Sequence, residues 1–517
     1  MLQAPPIEHA RYLVVLESKL EQSEYAQAAE LLVQAHKAEL ARWDGDWTKL
    51  EALLLERKPA ELALVLDPGT IDANLPRRLI PILTRFDDDP FVDCAFGLIT
   101  GASGADAKKL VERDLALQGK ELPARKLDAV SVVLDECMHL DERKERCAEG
   151  REMALESLWL TGKDKDWRKF LAQWRGRQAG AGLVEWGHCG DPQGIWLFSM
   201  YRNMDESKHW AFDPKKVGRD PEGEMPRLTP ALLLQNVDLG GALVDNGSCH
   251  SAVTRRAMVG PDIVSTFGDT DGKVVFFDID AQDSFPLQAI AHGAGAYIGP
   301  LAANNATRAA IEEWLLCSGG LSAGEVMRRC YDELVMGAKT LPLSFALYED
   351  GQPDPPEPPM FQSSFHRVLF GDPALLPWKE RVPSGHTCVR KENDEGVELE
   401  ITWKDPGNDP WVWDPWREET AGGDGARMYE CVELALQRTG EPRVEVLEAS
   451  SKLGKESTRL QLTPTARLEK DPAGRLVLHL VLRGTRESMW PLDRKKMPEE
   501  LHARVRVRFP DRAPNTR

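Results

Sequence analysis

The chain has 517 residues, 42% of them hydrophobic and 29% charged, and a net charge of −18 at pH 7. That length exceeds one comfortable hydrophobic core, so more than one folding unit is expected. The acidic balance speaks against a nucleic-acid backbone or an anionic membrane surface as partner, and no apolar stretch reaches the roughly 18 residues that a membrane helix needs.

The first residues, Met1 to His9, show no basic segment followed by an apolar one, so no secretory signal is read and a cytoplasmic location is expected. Nine cysteines, an odd number, are scattered without the spacing of a disulfide framework and without a CxxC pair. The reading is therefore a chain with no structural zinc, no metal and no cofactor. Cys94, Cys137, Cys147, Cys317, Cys330 and Cys431 lie among apolar or helical positions and read as small buried hydrophobes.

In chain order, Tyr12 to Leu16 reads as a strand and Tyr25 to Ala41 as a helix with a stripe at Ala28, Leu31, Leu32, Ala35, Ala38 and Leu40. A second helix, near Lys49 to Arg57, leads into a strand at Leu62 to Leu66 that closes on Asp67-Pro68-Gly69. An irregular stretch follows, then a strand within Phe91 to Thr100 and a helix over Ala105 to Leu117. Leu127 to Leu134 reads as a strand, and Glu142 to Trp174 as helical with a break near Gly162.

Two apolar runs come next, Gly182 to Trp186 and Gly241 to Asp245. After them the sequence predicts a strand at Val274 to Phe277, a helix near Leu287 to His292 and a strand at Gly295 to Gly299. Helices from Thr307 to Cys317 and Ala323 to Met336 follow, and a strand ends at Phe370. The Pro-rich run Gly351 to Pro359 reads as a surface loop, because strand-like sequence resumes after it. Strands alternating with helices mean a mainly parallel sheet flanked by helices. After about Arg381 the helical period fades and alternating segments take over, at Val397 to Trp403, Arg459 to Leu462, Arg475 to Leu482 and Ala503 to Phe509. Arg504, Arg506 and Arg508 alternate with Val505, Val507 and Phe509, the pattern of a half-buried antiparallel strand in a β-sandwich.

Each of the two central apolar runs delivers a short polar motif: Gly187-His188-Cys189-Gly190 after the first, and Asn246-Gly247-Ser248-Cys249-His250 after the second. Buried strands that stop at Gly hand their loops to the carboxyl edge of an open α/β sheet, where ligands bind. There a His and a Cys 61 positions apart can meet as general base and thiol nucleophile. His250 adjoins Cys249 and, on an extended segment, points away from it as a wall residue. His292 is a competing base, placed at a helix end. Asp269, Asp271 and Asp278 lack the twelve-residue EF-hand spacing and read as a polar turn.

Several stretches together resemble the gingipain family of cysteine peptidases in the caspase-like clan. Gly187-His188 with Trp196 downstream is similar to the family's histidine motif, and Leu243 to Cys249 to the strand that ends in its nucleophile. Gly293 to Gly299 resembles the entry to the following strand, and Phe370-Gly371-Asp372-Pro373-Ala374-Leu375 the end of the catalytic domain. Asp88 to Gly97 resembles part of the first subdomain. The order is preserved over roughly residues 10 to 380. The departures are Cys189, where the family has a small residue, and the absent secretion signal.

The resemblance implies a caspase-like, mainly parallel sheet in two subdomains, 1–121 and 122–380, the second catalytic, followed by an immunoglobulin-like β-sandwich module over 381–517. It implies a cysteine endopeptidase in which Cys249 attacks, His188 serves as base and acid, and backbone N–H groups of Cys249, Cys189 and Gly190 hold the oxyanion. A basic residue before the scissile bond would face an acidic pocket, for which Asp135, Glu136 and Asp141 are candidates; Trp196 and His250 would line the substrate. The expected partner is a protein or peptide substrate, with the C-terminal module free to take a regulatory protein. The alternative function is an inactive caspase-like scaffold that binds proteins.

Overall fold

The computed structural model of the chain describes residues 12–131, 153–159, 167–187, 190–192, 194–196, 227–259, 273–302, 309–338, 340–353, 355, 366–380, 386–404, 412–413, 426–438, 440–471, 474–484 and 498–509.

The first strand, β1 (Tyr12–Glu17), is buried along its whole length. Ser23 caps the next helix, Glu24–His36, by accepting the Tyr25 N–H, and Lys37 ends it in the left-handed region at φ 52°. The chain then forms β2 (Glu39–Trp43), where a continuing helix is expected from the sequence. The stripe through Ala38 and Leu40 suits a helix, but the left-handed Lys37 turns the backbone first. Asp46 caps the helix Trp47–Arg57, which leads to β3 (Glu61–Val65).

The stretch read as irregular contains a helix, Asn74–Leu83, whose prolines at 76 and 81 mask it in sequence. Pro76 sits in its first turn, where a missing N–H costs little, and Leu75, Leu79, Ile82 and Leu83 are buried. β4 (Ala95–Ile99) and the Ser103-capped helix Gly104–Leu117 complete this half.

The second half begins with β5 (Arg125–Ser131) and β6 (Ala154–Trp159). The latter is a strand paired to β5, where the first part of a helical stretch broken near Gly162 is expected; the helix Trp167–Arg177 lies after that break. β7 (Leu183–Trp186) is followed by the short strands β8 (Gly190–Asp191), β9 (Gly194–Trp196) and β10 (Arg227–Leu228), a small antiparallel sheet of their own. Then come β11 (Leu243–Asn246), the hairpin pair β12 (Arg256–Val259) and β13 (Val275–Asp278), the helix Phe285–Ala291 and β14 (Ala296–Pro300). Helices Ala309–Ser318 and Ala323–Gly337 precede β15 (Arg367–Phe370).

These strands build one ten-stranded sheet in the order β2-β1-β3-β4-β15-β14-β11-β7-β5-β6. Every neighbouring pair is parallel except β14 and β15. The sheet is thus two parallel halves that run in opposite senses and meet at its centre. The chain closes it by returning β15 to the side of β4. Immediately after β15, Gly371 adopts φ 141° and its carbonyl comes so close to Gly97 that a side chain there would collide. The turn folds Asp372 inward, where it accepts hydrogen bonds from the Tyr12 hydroxyl at 2.8 Å and the Ala374 N–H at 2.9 Å and meets His36 Nε2 at 2.7 Å.

The C-terminal residues form β16 (His386–Asn393), β17 (Gly396–Lys404), β18 (Val412–Trp413), β19 (Ala426–Glu433), β20 (Arg443–Leu453), β21 (Glu456–Arg459), β22 (Thr463–Lys470), β23 (Leu476–Gly484) and β24 (Glu500–Arg508). Two antiparallel sheets result, β16-β17-β24-β20-β21 and β18-β19-β23-β22. Val397, Leu399, Ile401, Val505 and Val507 of one share a core with Met428, Leu478, Leu480 and Leu482 of the other, the sandwich expected from alternation. The four-stranded sheet also docks on the α/β block. Tyr429 and Val481 join that block's core, His479 stacks on Phe91 at 4.3 Å, and Arg328 of the helix Ala323–Gly337 pairs with Glu469 at 2.6 Å.

Candidate active site

β7 and β11 are parallel neighbours with Trp186 opposite Asn246, so both polar motifs leave the sheet at the same carboxyl edge. The Gly247 N–H still donates to the Trp186 carbonyl, at 2.7 Å, before the chain turns away. From there the turn is held on both sides of Cys249. Asn246 Oδ1 accepts the Ser248 N–H at 3.0 Å, and the Asn246 carbonyl accepts the Ser251 hydroxyl at 3.2 Å. The His250 N–H donates to the Ala302 carbonyl at 2.9 Å and the Ala252 N–H to the Pro300 carbonyl at 2.8 Å. Tyr297 donates its hydroxyl to the Ser251 carbonyl at 2.6 Å. Cys249, 5% exposed, sits within this turn.

His250 is where the extended-segment expectation fails. Its φ is 58°, so the residue after the cysteine lies in a left-handed turn, and strand alternation does not govern which way it points. It is buried, and burial pushes its imidazole down to about 4 while Asp191 pulls the other way. His250 is therefore neutral at pH 7, and its Nδ1 has no hydrogen-bond partner among the described residues.

His188 and Cys189 lie outside the described residues, but the ends of their loop do not. Gly187 continues from β7, and Gly190 starts β8. A Cβ placed on Gly190 would stand 3.3 Å from Ser248 Cβ and 3.4 Å from the Cys249 carbonyl oxygen. The three-position span from Gly187 to Gly190 thus begins on the neighbouring strand and ends against the cysteine turn.

His292 is at the other end of the half-sheet. It follows the helix Phe285–Ala291 and precedes β14; its carbonyl accepts the Leu239 N–H ahead of β11, and its Nδ1 lies 2.9 Å from the Val237 carbonyl. Parallel strands put that point at the amino edge, opposite Cys249, which removes His292 as a base.

Trp196 belongs to β9, paired with Arg227 of β10, and its side chain lies outside the described residues. Asp135, Glu136, Asp141, Asp269 and Asp271 also lie outside them, as does most of the Pro-rich run. Asp278 is an exposed residue of β13 that pairs with Arg256 at 3.3 Å. Among the described residues, one trio brings carboxylate oxygens within 4.8 Å of one another: Asp87, Asp89 and Asp93, which precede β4. Asp89 there accepts the Lys470 N–H of the C-terminal module.

Sequence reasoning passed over a row of buried charges beneath the cysteine turn. Lys126 of β5 pairs with Glu185 of β7 at 2.7 Å. Asp245 of β11 stands beside Glu185 in register and pairs with Arg367 of β15, which also pairs with Glu312 at 2.5 Å. None is more than 5% exposed. Burial pushes the Asp245 carboxyl up, to about 6, against the Arg367 guanidinium that favours its charged form. The signal was charge set against apolar strand sequence, at Glu185 and Asp245 within β7 and β11 and at Lys126 and Arg367 near the starts of β5 and β15, because such residues are seldom fully buried unless paired.

No protein-family model matches the chain, and no curated protein does. Among solved structures it is similar to a protease at 11% identity, covering 92% of each chain with a TM-score of 0.44. It is similar to the complex of Porphyromonas gingivalis RgpB pro- and mature domains at 10% identity, over 81% of this chain and 90% of that one, with a TM-score of 0.42. It is also similar to the Saccharomyces cerevisiae separase–securin complex at 10% identity, over 63% of this chain and 17% of that one, with a TM-score of 0.32.

Proposed function

We propose that the chain is a cysteine endopeptidase that hydrolyses peptide bonds in protein substrates with Cys249 as nucleophile and His188 as its base. The observation that carries this reading is the parallel rung Trp186–Asn246, from which both motifs leave the sheet side by side, with Gly190 packed against Ser248 and Cys249. An ordinary thiol, with a pKa near 8.5, is mostly protonated at pH 7, so the nucleophile needs a base close by. His250 is unsuited to that task, because burial holds its imidazole at about 4. That leaves the histidine of the facing loop.

Attack on the scissile carbonyl gives a tetrahedral intermediate whose oxyanion is held by the N–H groups of Cys249, Cys189 and Gly190. His188 then protonates the leaving amine, and water releases the acyl group from the sulfur. Cleavage after basic residues, with Asp135, Glu136 or Asp141 in the pocket, is the specificity we assign. A regulatory partner of the C-terminal module would meet the five-stranded sheet, because the four-stranded one is packed against the α/β block.

The test is turnover of a fluorogenic peptide panel with Arg, Lys, Asp, Asn or Leu before the scissile bond, by wild type, Cys249→Ala and His188→Ala. Wild-type turnover that is lost in both variants and greatest after Arg or Lys is expected. Equal turnover in Cys249→Ala contradicts the mechanism, and silence of the wild type supports the inactive scaffold instead.

A further inference from the structure

We propose that Arg367 is the positioning residue of the nucleophile turn, a role that rests on the reading of Cys249 as nucleophile. Arg367 begins β15, two strands from β11, and its side chain spans the intervening β14. Its three nitrogens donate to three different acceptors. Nε donates to Glu312 at 2.5 Å, Nη2 donates to Asp245, and Nη1 donates to the Asn246 carbonyl at 3.0 Å.

The last of these is the decisive one. The Asn246 carbonyl is the final backbone acceptor before the turn, and it also accepts the Ser251 hydroxyl from the far side of Cys249. Asn246 Oδ1 meanwhile takes the Ser248 N–H. One guanidinium therefore fixes the residue to which both ends of the Ser248–Ser251 turn are tied. Glu312 and Asp245 in turn fix the guanidinium, whose planar fork a lysine cannot reproduce.

Stability alone does not account for such a cluster. Arg367, Asp245 and Glu312 are each fully buried, and a buried ion pair is often replaced by apolar residues of like volume without loss of stability. What apolar residues cannot supply is a donor aimed at the Asn246 carbonyl. Geometry at the nucleophile is where such a donor matters, since a displacement of about 1 Å can cost roughly 100-fold in rate.

The experiment compares the full-length wild type with Arg367→Lys and with the apolar triple variant Arg367→Met/Asp245→Leu/Glu312→Leu. It reads the rate of Cys249 alkylation by iodoacetamide across pH, mapped by peptide mass, together with kcat and KM on the best panel peptide. Both variants are expected to fold. Their Cys249 alkylation midpoint is expected to move up toward the roughly 8.5 of an ordinary thiol. Their kcat is expected to fall roughly 10- to 100-fold with KM changed by less than about twofold. A folded variant with the wild-type alkylation profile and kcat overturns the proposal. Unfolding of both variants also overturns it, since the role would then be structural only. Failure of the peptidase reading is seen separately, as absence of wild-type turnover, because alkylation needs no substrate.

Discussion

Cys249 differs from the other described cysteines in its setting. Cys94, Cys317 and Cys330 are buried in the main core, as small hydrophobes are expected to be, and burial pushes the Cys94 thiol well above its ordinary range. Cys431 departs from that expectation, being exposed on β19, while Cys137 and Cys147 lie outside the described residues. Among the described cysteines, only Cys249 follows a strand at the carboxyl edge and sits in a turn tied by side chains on both flanks. A different residue-scale effect arises at Asp93. Burial, then the neighbouring carboxylates of Asp87 and Asp89, push its carboxyl up to about 8. An unfolded aspartate loses its proton near pH 4, roughly, so between that value and about 8 the folded chain holds more protons than the unfolded one. Stability must fall as pH rises through that window. Asp93→Asn keeps the acceptor for the Phe86 N–H, which lies at 2.9 Å in the wild type. We expect this variant to be more stable than wild type at pH 8, on the order of 2 kcal/mol, with the gain vanishing near pH 4. Denaturant titrations at the two pH values read this directly; equal differences at both would show that Asp93 is not the titrating group.

At the scale of elements, legibility followed the strength of the local pattern. Continuous apolar runs gave β1, β3, β7, β11 and β14 nearly to the residue, because strands buried on both faces carry no competing period. β2 was lost to a helical stripe that runs past its true end, since nothing in the side chains marks Lys37 as left-handed. The helix Asn74–Leu83 was lost to its prolines. β6 was lost because its leucines and tryptophan suit either period. The motif Gly371-Asp372-Pro373 was legible as an ending but not as a mechanism: its glycine allows φ 141°, and its aspartate is drawn in by Tyr12 and His36. The close approach of Gly371 to Gly97 makes a demand on β4 in particular. Gly97→Ala is expected to destabilise the chain by about 1–3 kcal/mol through overpacking against backbone that cannot yield. Alanine at the exposed Gly45, where a Cβ meets nothing within 4 Å, controls for the substitution itself, apart from the strain of its φ of 93°. Thermal unfolding of both variants distinguishes them, and an unchanged midpoint for Gly97→Ala would contradict the close contact.

For the whole molecule, the sequence foretold a mainly parallel sheet and a β-sandwich but not how the parts are joined. Two parallel halves of opposite sense meet at β14 and β15, a pairing that links strands far apart in the chain and leaves no local trace. The sandwich is fastened by an equally non-local network. Arg328 donates to Glu469 and lies 3.3 Å from Asp332, and Glu469 meets His479 at 2.5 Å. His479 and Arg328 hold the Glu469 carboxyl down, to about 2, against the burial that would raise it. Of the candidate site, the ends of β7 and β11 were legible in the sequence; the left-handed turn at His250 and the hydrogen bonds of Arg367 were not, because each depends on residues more than a hundred positions away or on backbone geometry alone. Among the described residues no helix is long and apolar enough to cross a membrane. The central claim is that one thiol among the chain's nine does the chemistry. The most direct measurement is to treat the intact protein with a peptidyl chloromethyl ketone ending in arginine and map the adduct by mass spectrometry. The account predicts a single adduct, on Cys249, that appears in step with loss of turnover and is absent from His188→Ala. An adduct on another cysteine, with Cys249 unmodified while turnover disappears, would contradict it.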